Sequence, residues 1–352
     1  FLYFCRYGMR VTRQRTAAID PRVNGLLVHK VLEDIFKHYT LKELKNKEEA
    51  AVREIIGDFV KAYTEEYLDG SQSLAPKEKR DLDRSAASVF EILRRFISEF
   101  DSCGFITCSA ELKIGGPQAD IPAYVLKLPD GGSMTVTGSI DRVDMLELDQ
   151  EKYVRVIDYK TGSKTFRLSD VFEGLNMQML IYLFALCLNG KKRFGDILPA
   201  GILYVPAKTG GETLGRNANE EEIRLRKLKN GRMNGLLLEK EAVVRGMEAD
   251  AGGIYIDASI DANGNLKGAF LTLREFRLLH ERIDKILIET GTDIQNGVIP
   301  ALPSDMAGEK DICRSRDYAS VCLHENTGVY KKALKLDHAD ARQKLNDEAP
   351  ST

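Results

Sequence analysis

The sequence predicts a mixed α/β (α+β) fold: a central sheet flanked by helices, behind a mostly helical N-terminal part. Three observations carry that prediction. Apolar residues recur at helical spacing from residue 23 to about 101, and β-formers dominate from 104 to 160. One short, continuous apolar run, "MLIYLFALCL" (179–188), then sits between strand-like segments.

Taken in order, residues 23–40, "VNGLLVHKVLEDIFKHYT", form an amphipathic helix after Gly25, with Leu26, Leu27, Val28, Val31, Leu32, Ile35 and Phe36 on its apolar face. Residues 41–101 are helical in two or three segments, broken by the turn-rich "LDGSQSLAPKEKRDLD" (68–83). "GFITCSAELKI" (104–114) and "AYVLKLP" (123–129) are strands joined by a Gly/Pro-containing link. "GSMTVTGSIDRVDMLEL" (132–148) and "YVRVIDYK" (153–160) are two long strands joined by the polar turn "DQEK". A helix over 169–190 takes Ser169 as its N-cap and ends at Gly190. "AGILYVPA" (200–207) adds a strand, and the charged, Gly-rich 208–252 reads as a surface excursion of helical or hairpin character. A helix in 271–297 ends near Gly291, and an irregular tail follows from 301. The domain limits this suggests are 1–103, 104–300 and 301–352.

Composition narrows the classes of function. With 352 residues and 43% apolar content the chain can build a sizeable core, and its net charge of −2 excludes a uniformly basic nucleic-acid coat but not a local basic channel. No apolar run is long enough to span a bilayer. Six scattered cysteines, without a disulfide-rich pattern, point to a reducing, cytoplasmic compartment. The opening "FLYFCRYGMR" lacks an initiator Met and reads as the start of a fragment of a longer protein.

The chemistry centres on "VRVIDYKTG" (154–162). Residues i and i+2 of a strand share a face, so Asp158 and Lys160 project side by side, as a surface ion pair or as half of a hydrolytic site. Asp141 and Asp144 in "GSIDRVD" lie in a β-forming run that disfavours acids, and pairing this strand with the next brings Asp141 beside Asp158. Two carboxylates and a lysine at one strand end suit Mg²⁺ and phosphodiester cleavage, since Mg²⁺ is held by one or two carboxylates plus substrate phosphate. Gln178 and Tyr182, at i and i+4, share one helix face that is either half-exposed or a wetted line toward substrate. His29, among apolar neighbours, is either a hydrogen-bonded core residue or a metal ligand. No phosphate-cradling GxxxxGK[ST] motif is present, so no ATP hydrolysis is expected of these residues.

"GLLVHKVLE", "GSIDRVD", "VIDYKTG" and "QMLIY" occur here in the order found in RecB/AddB-type nucleases, and the chain resembles that family of the PD-(D/E)XK, restriction-endonuclease-like superfamily. "FLYFCRYGMRV" and "KNGRMNGLLLEKEAVVRGM" (229–247) extend the resemblance from residue 1 to about Leu323. The resemblance implies a restriction-endonuclease-like sheet and a metal-dependent DNA exonuclease in an AddAB-like helicase–nuclease that processes double-strand breaks. It implies Asp141 and Asp158 as metal-binding carboxylates with the Tyr159 backbone carbonyl, Lys160 as the catalytic lysine, and His29 as a residue close to the metal. Gln178 and Tyr182 would line the path of single-stranded DNA, and Glu111 in "SAELKI" would take a supporting acidic position. Mg²⁺, or Mn²⁺ in its place, is the implied cofactor; DNA and an AddA-like subunit are the implied partners.

The cysteines depart from the family pattern. Such nucleases share a [4Fe–4S] staple of four thiolates, one before the aromatic N-terminal segment and three near the C-terminus. In "CRSRDYASVC", Cys313 and Cys322 match the outer positions, whereas Arg316 stands where the middle cysteine belongs and Cys5 is off register. An intact cluster is therefore not expected, and Cys103, Cys108 and Cys187 read as ordinary buried or half-buried thiols. Two rival functions remain at this level: a catalytically silent nuclease-fold scaffold binding DNA or the AddA-like subunit, and a hydrolase of small phosphoesters.

Overall fold

The computed structural model describes residues 3–11, 21–67, 74–160, 165–206, 219–298, 300, 304–305 and 331–348. Three long helices come first. The helix α1 (Pro21–His38) begins at a proline, which is tolerated in a first turn because that N–H has no intrahelical partner. Leu27, Val28, Val31, Leu32 and Ile35 are buried, but Leu26 is 63% exposed, a full 100° of helix rotation off that stripe and not on it as expected. The short α2 (Leu41–Lys45) is set by a capping box between Thr40 and Glu43. α3 (Glu49–Tyr67) and α4 (Pro76–Glu99) follow, and α1, α3 and α4 pack on one another. The break predicted over 68–83 is shorter, because Pro76 opens α4.

Six strands form the central sheet, in the order β1-β4-β5-β6-β7-β10. They are β1 (Ile106–Ile114), β4 (Gly138–Leu148), β5 (Glu151–Lys160), β6 (Leu198–Pro206), β7 (Asn234–Leu238) and β10 (Phe270–Leu271). β4 pairs antiparallel with β1 and β5, whereas β5 and β6 are parallel. The β4–β5 connection tightens to Asp149–Gln150, with φ of +51° and +68°, the left-handed pair of a two-residue hairpin. β5 is buried on both faces, since Tyr153, Val154, Arg155, Val156 and Ile157 are all 1% exposed or less. Phe96 of α4 meets the Tyr159 ring on one face. On the other, α6 (Gln178–Asn189) packs over β5 and β6, with α10 (Leu273–Gln295) outside it.

Several expected elements are corrected. The strand expected over 132–148 divides into β3 (Ser133–Val136) and β4, and β3 pairs with β2 (Tyr124–Lys127) in a separate hairpin. The helix expected over 169–190 is two helices, α5 (Leu168–Phe172) and α6. Gly174 and Asn176, with φ of +73° and +56°, interrupt it, and Ser169 lies inside α5 rather than capping it. The segment 208–252 is no surface excursion in its described part. After α8 (Glu220–Asn230) it supplies β7 to the central sheet and α9 (Glu241–Met247) to the core, with Leu236, Leu237, Leu238, Val243, Val244 and Met247 buried. α10 runs through Gly291 to Gln295, because Gly291 lies against Leu128 and Met134 while Gly297, at φ +70°, takes the terminating position. Cys108 is exposed rather than half-buried, because the β1–β4 ladder shifts register between Thr107 and Ser109 and leaves it as the extra residue of a bulge. Cys313, Cys322 and Arg316 lie outside the described residues.

Candidate active site

The site sits where the ends of β1, β4 and β5 meet α1. Arg142 pairs with Ile157 across the hairpin, so Asp141 and Asp158 are the next cross-strand neighbours. On the other side of β4, Ala110 pairs with Arg142 and Leu112 with Ile140, which leaves Glu111 opposite Asp141. Glu111 adopts φ +49° within its strand, a conformation that costs a non-glycine residue about 1–3 kcal/mol and concentrates at functional positions.

The Tyr159 peptide links the strand end to the helix. Its N–H donates to Asp141 Oδ2 at 2.9 Å, and its carbonyl accepts from His29 Nε2 at 2.8 Å. A carbonyl only accepts, so Nε2 carries a hydrogen and Nδ1, 3.2 Å from Asp141 Oδ2, faces the acid. Burial works against protonation of His29, but the Asp141 carboxylate outweighs it and raises the imidazole's pKa. His29, Glu111 and Asp141 each bring one ligand atom within 4.8 Å of the others. Burial raises the pKa of Glu111, opposed by the Ser139 hydroxyl that donates to it at 2.6 Å.

Asp158 stands beside this trio. Burial and the Asp141 carboxylate push its pKa up, while Lys160, with Nζ 2.5 Å from Asp158 Oδ2, pulls the other way. Lys160 Nζ also lies 5.8 Å from the centre of the Tyr204 ring, and Tyr204 is paired with Asp158 across the β5–β6 ladder. One imidazole and three carboxylates, two of them paired on one hairpin, form a donor set suited to a hard or borderline divalent ion. Like charges are brought together here rather than dispersed, which a cation would relieve.

Gln178 is exposed at the start of α6 and donates to the Tyr182 hydroxyl at 3.2 Å. Tyr182 reaches the first residue of β4. A Cβ on Gly138 would lie only 2.1 Å from the tyrosine oxygen, so only glycine admits it. The structure thus brings His29, Asp141, Asp158, the Tyr159 carbonyl and Lys160 to one strand end, and sets Gln178 and Tyr182 by the adjoining end of β4. Glu111, given only a supporting place from sequence, joins the tightest group. The signal for it was an acid inside a strand, as for Asp141.

The family model described as the PD-(D/E)XK nuclease superfamily matches residues 1–323. The chain is 30% identical over 338 residues to one subunit of an ATP-dependent helicase/deoxyribonuclease of Thermoanaerobacter sp. (strain X514), covering 92% of this chain and 29% of that protein. It is similar to a protein of the same description from Clostridium novyi (strain NT), at 30% identity over 92% of this chain and 29% of that one. The Clostridium perfringens (strain 13 / Type A) protein is 28% identical over 99% of this chain and 31% of its own length. The chain therefore spans about three-tenths of the length of these relatives.

Proposed function

Because the chain belongs to the PD-(D/E)XK nuclease superfamily, we propose that it is a metal-dependent deoxyribonuclease, acting as an exonuclease on single-stranded DNA within an AddAB-like helicase–nuclease that processes double-strand breaks. The observation that carries this reading is the convergence of His29, Glu111 and Asp141 within 4.8 Å, with Asp158 and Lys160 at the adjacent strand end. The side chains of His29, Glu111, Asp141 and Asp158 would hold Mg²⁺, or Mn²⁺ in its place. When bound, such an ion polarises a phosphoryl oxygen and acidifies a water.

The chain's own groups do the rest. Asp141 is oriented by the Tyr159 N–H, and Asp158 is oriented by Lys160. The Lys160 ammonium, 27% exposed, is free on its solvent side to stabilise charge developing on the scissile phosphate. Gln178 and Tyr182 offer an amide and an aromatic face to a strand entering beside β4. DNA and an AddA-like subunit are the partners this reading requires, and the names of the relatives support both.

The test is degradation of an end-labelled single-stranded oligonucleotide with Mg²⁺. The parent chain is expected to cut it, and chelation and Asp158→Ala are each expected to abolish cutting. Activity retained in both cases removes Asp158 and the metal from the mechanism; a parent chain that binds DNA but never cuts it is a scaffold.

A further inference from the structure

Behind the candidate site lies a second charge cluster that the cleavage chemistry does not use. Asp144, wholly buried, accepts from Arg142 Nε at 2.6 Å and Nη2 at 3.0 Å, and from Arg155 Nε at 3.0 Å and Nη2 at 2.9 Å. Arg155 Nη2 reaches on to Glu99 of α4 and to the Cys103 sulfur, each at 3.4 Å. Arg142, Arg155 and Glu99 are 1%, 0% and 2% exposed.

As a source of stability this is a poor device. Desolvating each ion costs several kcal/mol, and well-packed apolar residues in place of a buried ion network are often neutral or stabilising. Glu99 Oε2 and Arg155 Nη1 add to the cost, having no hydrogen-bond partner among the described residues. What the cluster does accomplish is geometric. Asp144 and Arg155 are cross-strand partners, so their bonds fix the β4–β5 register, and a slip of one residue would turn Asp141 to the opposite face. The Arg142 guanidinium lies 4.1 Å from the centre of the Phe96 ring, Phe96 meets Tyr159 edge-on at 6.2 Å, and Tyr159 meets His29 edge-on at 5.8 Å. The chain of contacts ends on the peptide whose N–H and carbonyl hold Asp141 and His29.

We propose that Asp144, Arg142 and Arg155, tied to α4 through Glu99, are positioning residues that lock β4 to β5 and hold the Tyr159 peptide against Asp141 and His29. Their consequence for rate rests on the nuclease reading; their consequence for geometry does not.

The test uses two variants of the full chain. One is the apolar replacement Arg142→Met, Asp144→Leu, Arg155→Met and Glu99→Leu together, which removes the network without stranding a charge. The other is Arg142→Lys, which keeps the charge but loses the two-pronged bond to Asp144 and the stacking on Phe96. Amide hydrogen exchange at Tyr159 and the thermal midpoint are compared with the parent, alongside single-turnover DNA cleavage. The expected result is a cooperative thermal transition with Tyr159 exchange at least tenfold faster, and kcat lowered tenfold or more with KM little changed. Parental exchange at Tyr159 in a folded variant overturns the proposal. If the quadruple variant does not fold, Arg142→Lys alone decides by the same criterion. A parent chain without nuclease activity refutes the proposed function only, because the exchange comparison stands without it.

Discussion

Replacing Lys160 with alanine separates chemistry from folding. The Lys160–Asp158 pair closes at 2.5 Å with 27% and 13% of the two side chains exposed. Fully exposed pairs contribute about 0.2–1 kcal/mol, whereas breaking a fully buried one costs roughly 3–5 kcal/mol. A pair lying between those limits, discounted for solvent screening, leaves a loss of about 1–2 kcal/mol in folding stability. A domain of about 5 kcal/mol that loses 2 stays more than about 99% folded, so unfolding contributes almost nothing to any change in rate. Removing a charge-stabilising donor from the transition state costs about 10²–10³-fold, or roughly 3–4 kcal/mol. The assay is single-turnover cleavage of an end-labelled oligonucleotide in Mg²⁺, with affinity for the same strand read by fluorescence anisotropy in chelator. The expected outcome is a rate at least a hundredfold lower and an affinity within threefold of the parent. A rate within threefold of the parent, or affinity falling as far as the rate, refutes the catalytic role of Lys160.

Three other outcomes are expected. Gly138→Ala drives a Cβ into the Tyr182 hydroxyl, so stability falls by about 1–3 kcal/mol as in other overpacked sites; single-strand affinity falls with it, and unchanged anisotropy would remove Tyr182 from the DNA path. Glu111→Gly relieves the left-handed strain at that residue and deletes a carboxylate from the cluster. Chemical denaturation should show a variant as stable as the parent or up to about 1 kcal/mol more so, while cleavage drops at least tenfold; undiminished cleavage excludes Glu111 from the site. Acid should loosen the C-terminal helix (His338–Asp347): burial opposes ionisation of Glu275, but Arg342, Thr272 and Asn346 hold its carboxyl down at about 2 against an ordinary 4.5. A depressed folded pKa contributes stability that is present above about pH 4.5 and is lost as pH falls toward 2. With Arg342 29% exposed, that contribution is about 1–2 kcal/mol after screening, and an Arg342→Met chain whose midpoint shows the same acid slope as the parent would contradict it.

Much of the fold was legible because its signals are local. The β4–β5 hairpin is written as alternating β-formers around a polar turn, and α1 as a 3.6-residue stripe; both depend on near neighbours in the chain. Ser169 misled because a good cap residue says nothing about a break several residues later, where Gly174 and Asn176 take left-handed conformations. The charged 208–252 segment misled because its polar first half masks Leu236–Leu238, which become a sheet strand through pairing with β6. Leu26 misled by adjacency, since one residue of rotation moves a side chain off the buried stripe.

By itself the sequence determined which side chains carry chemistry and, through the period of two along β4 and β5, that Asp141 and Asp158 meet across a hairpin and that Lys160 follows Asp158 on the same face. Only the tertiary structure decided that Glu111 belongs with His29 and Asp141, and that His29 is held by the Tyr159 carbonyl. Those contacts join residues 30 to 130 positions apart. No local pattern encodes them, because they arise from strand order and from where α1 docks on the sheet.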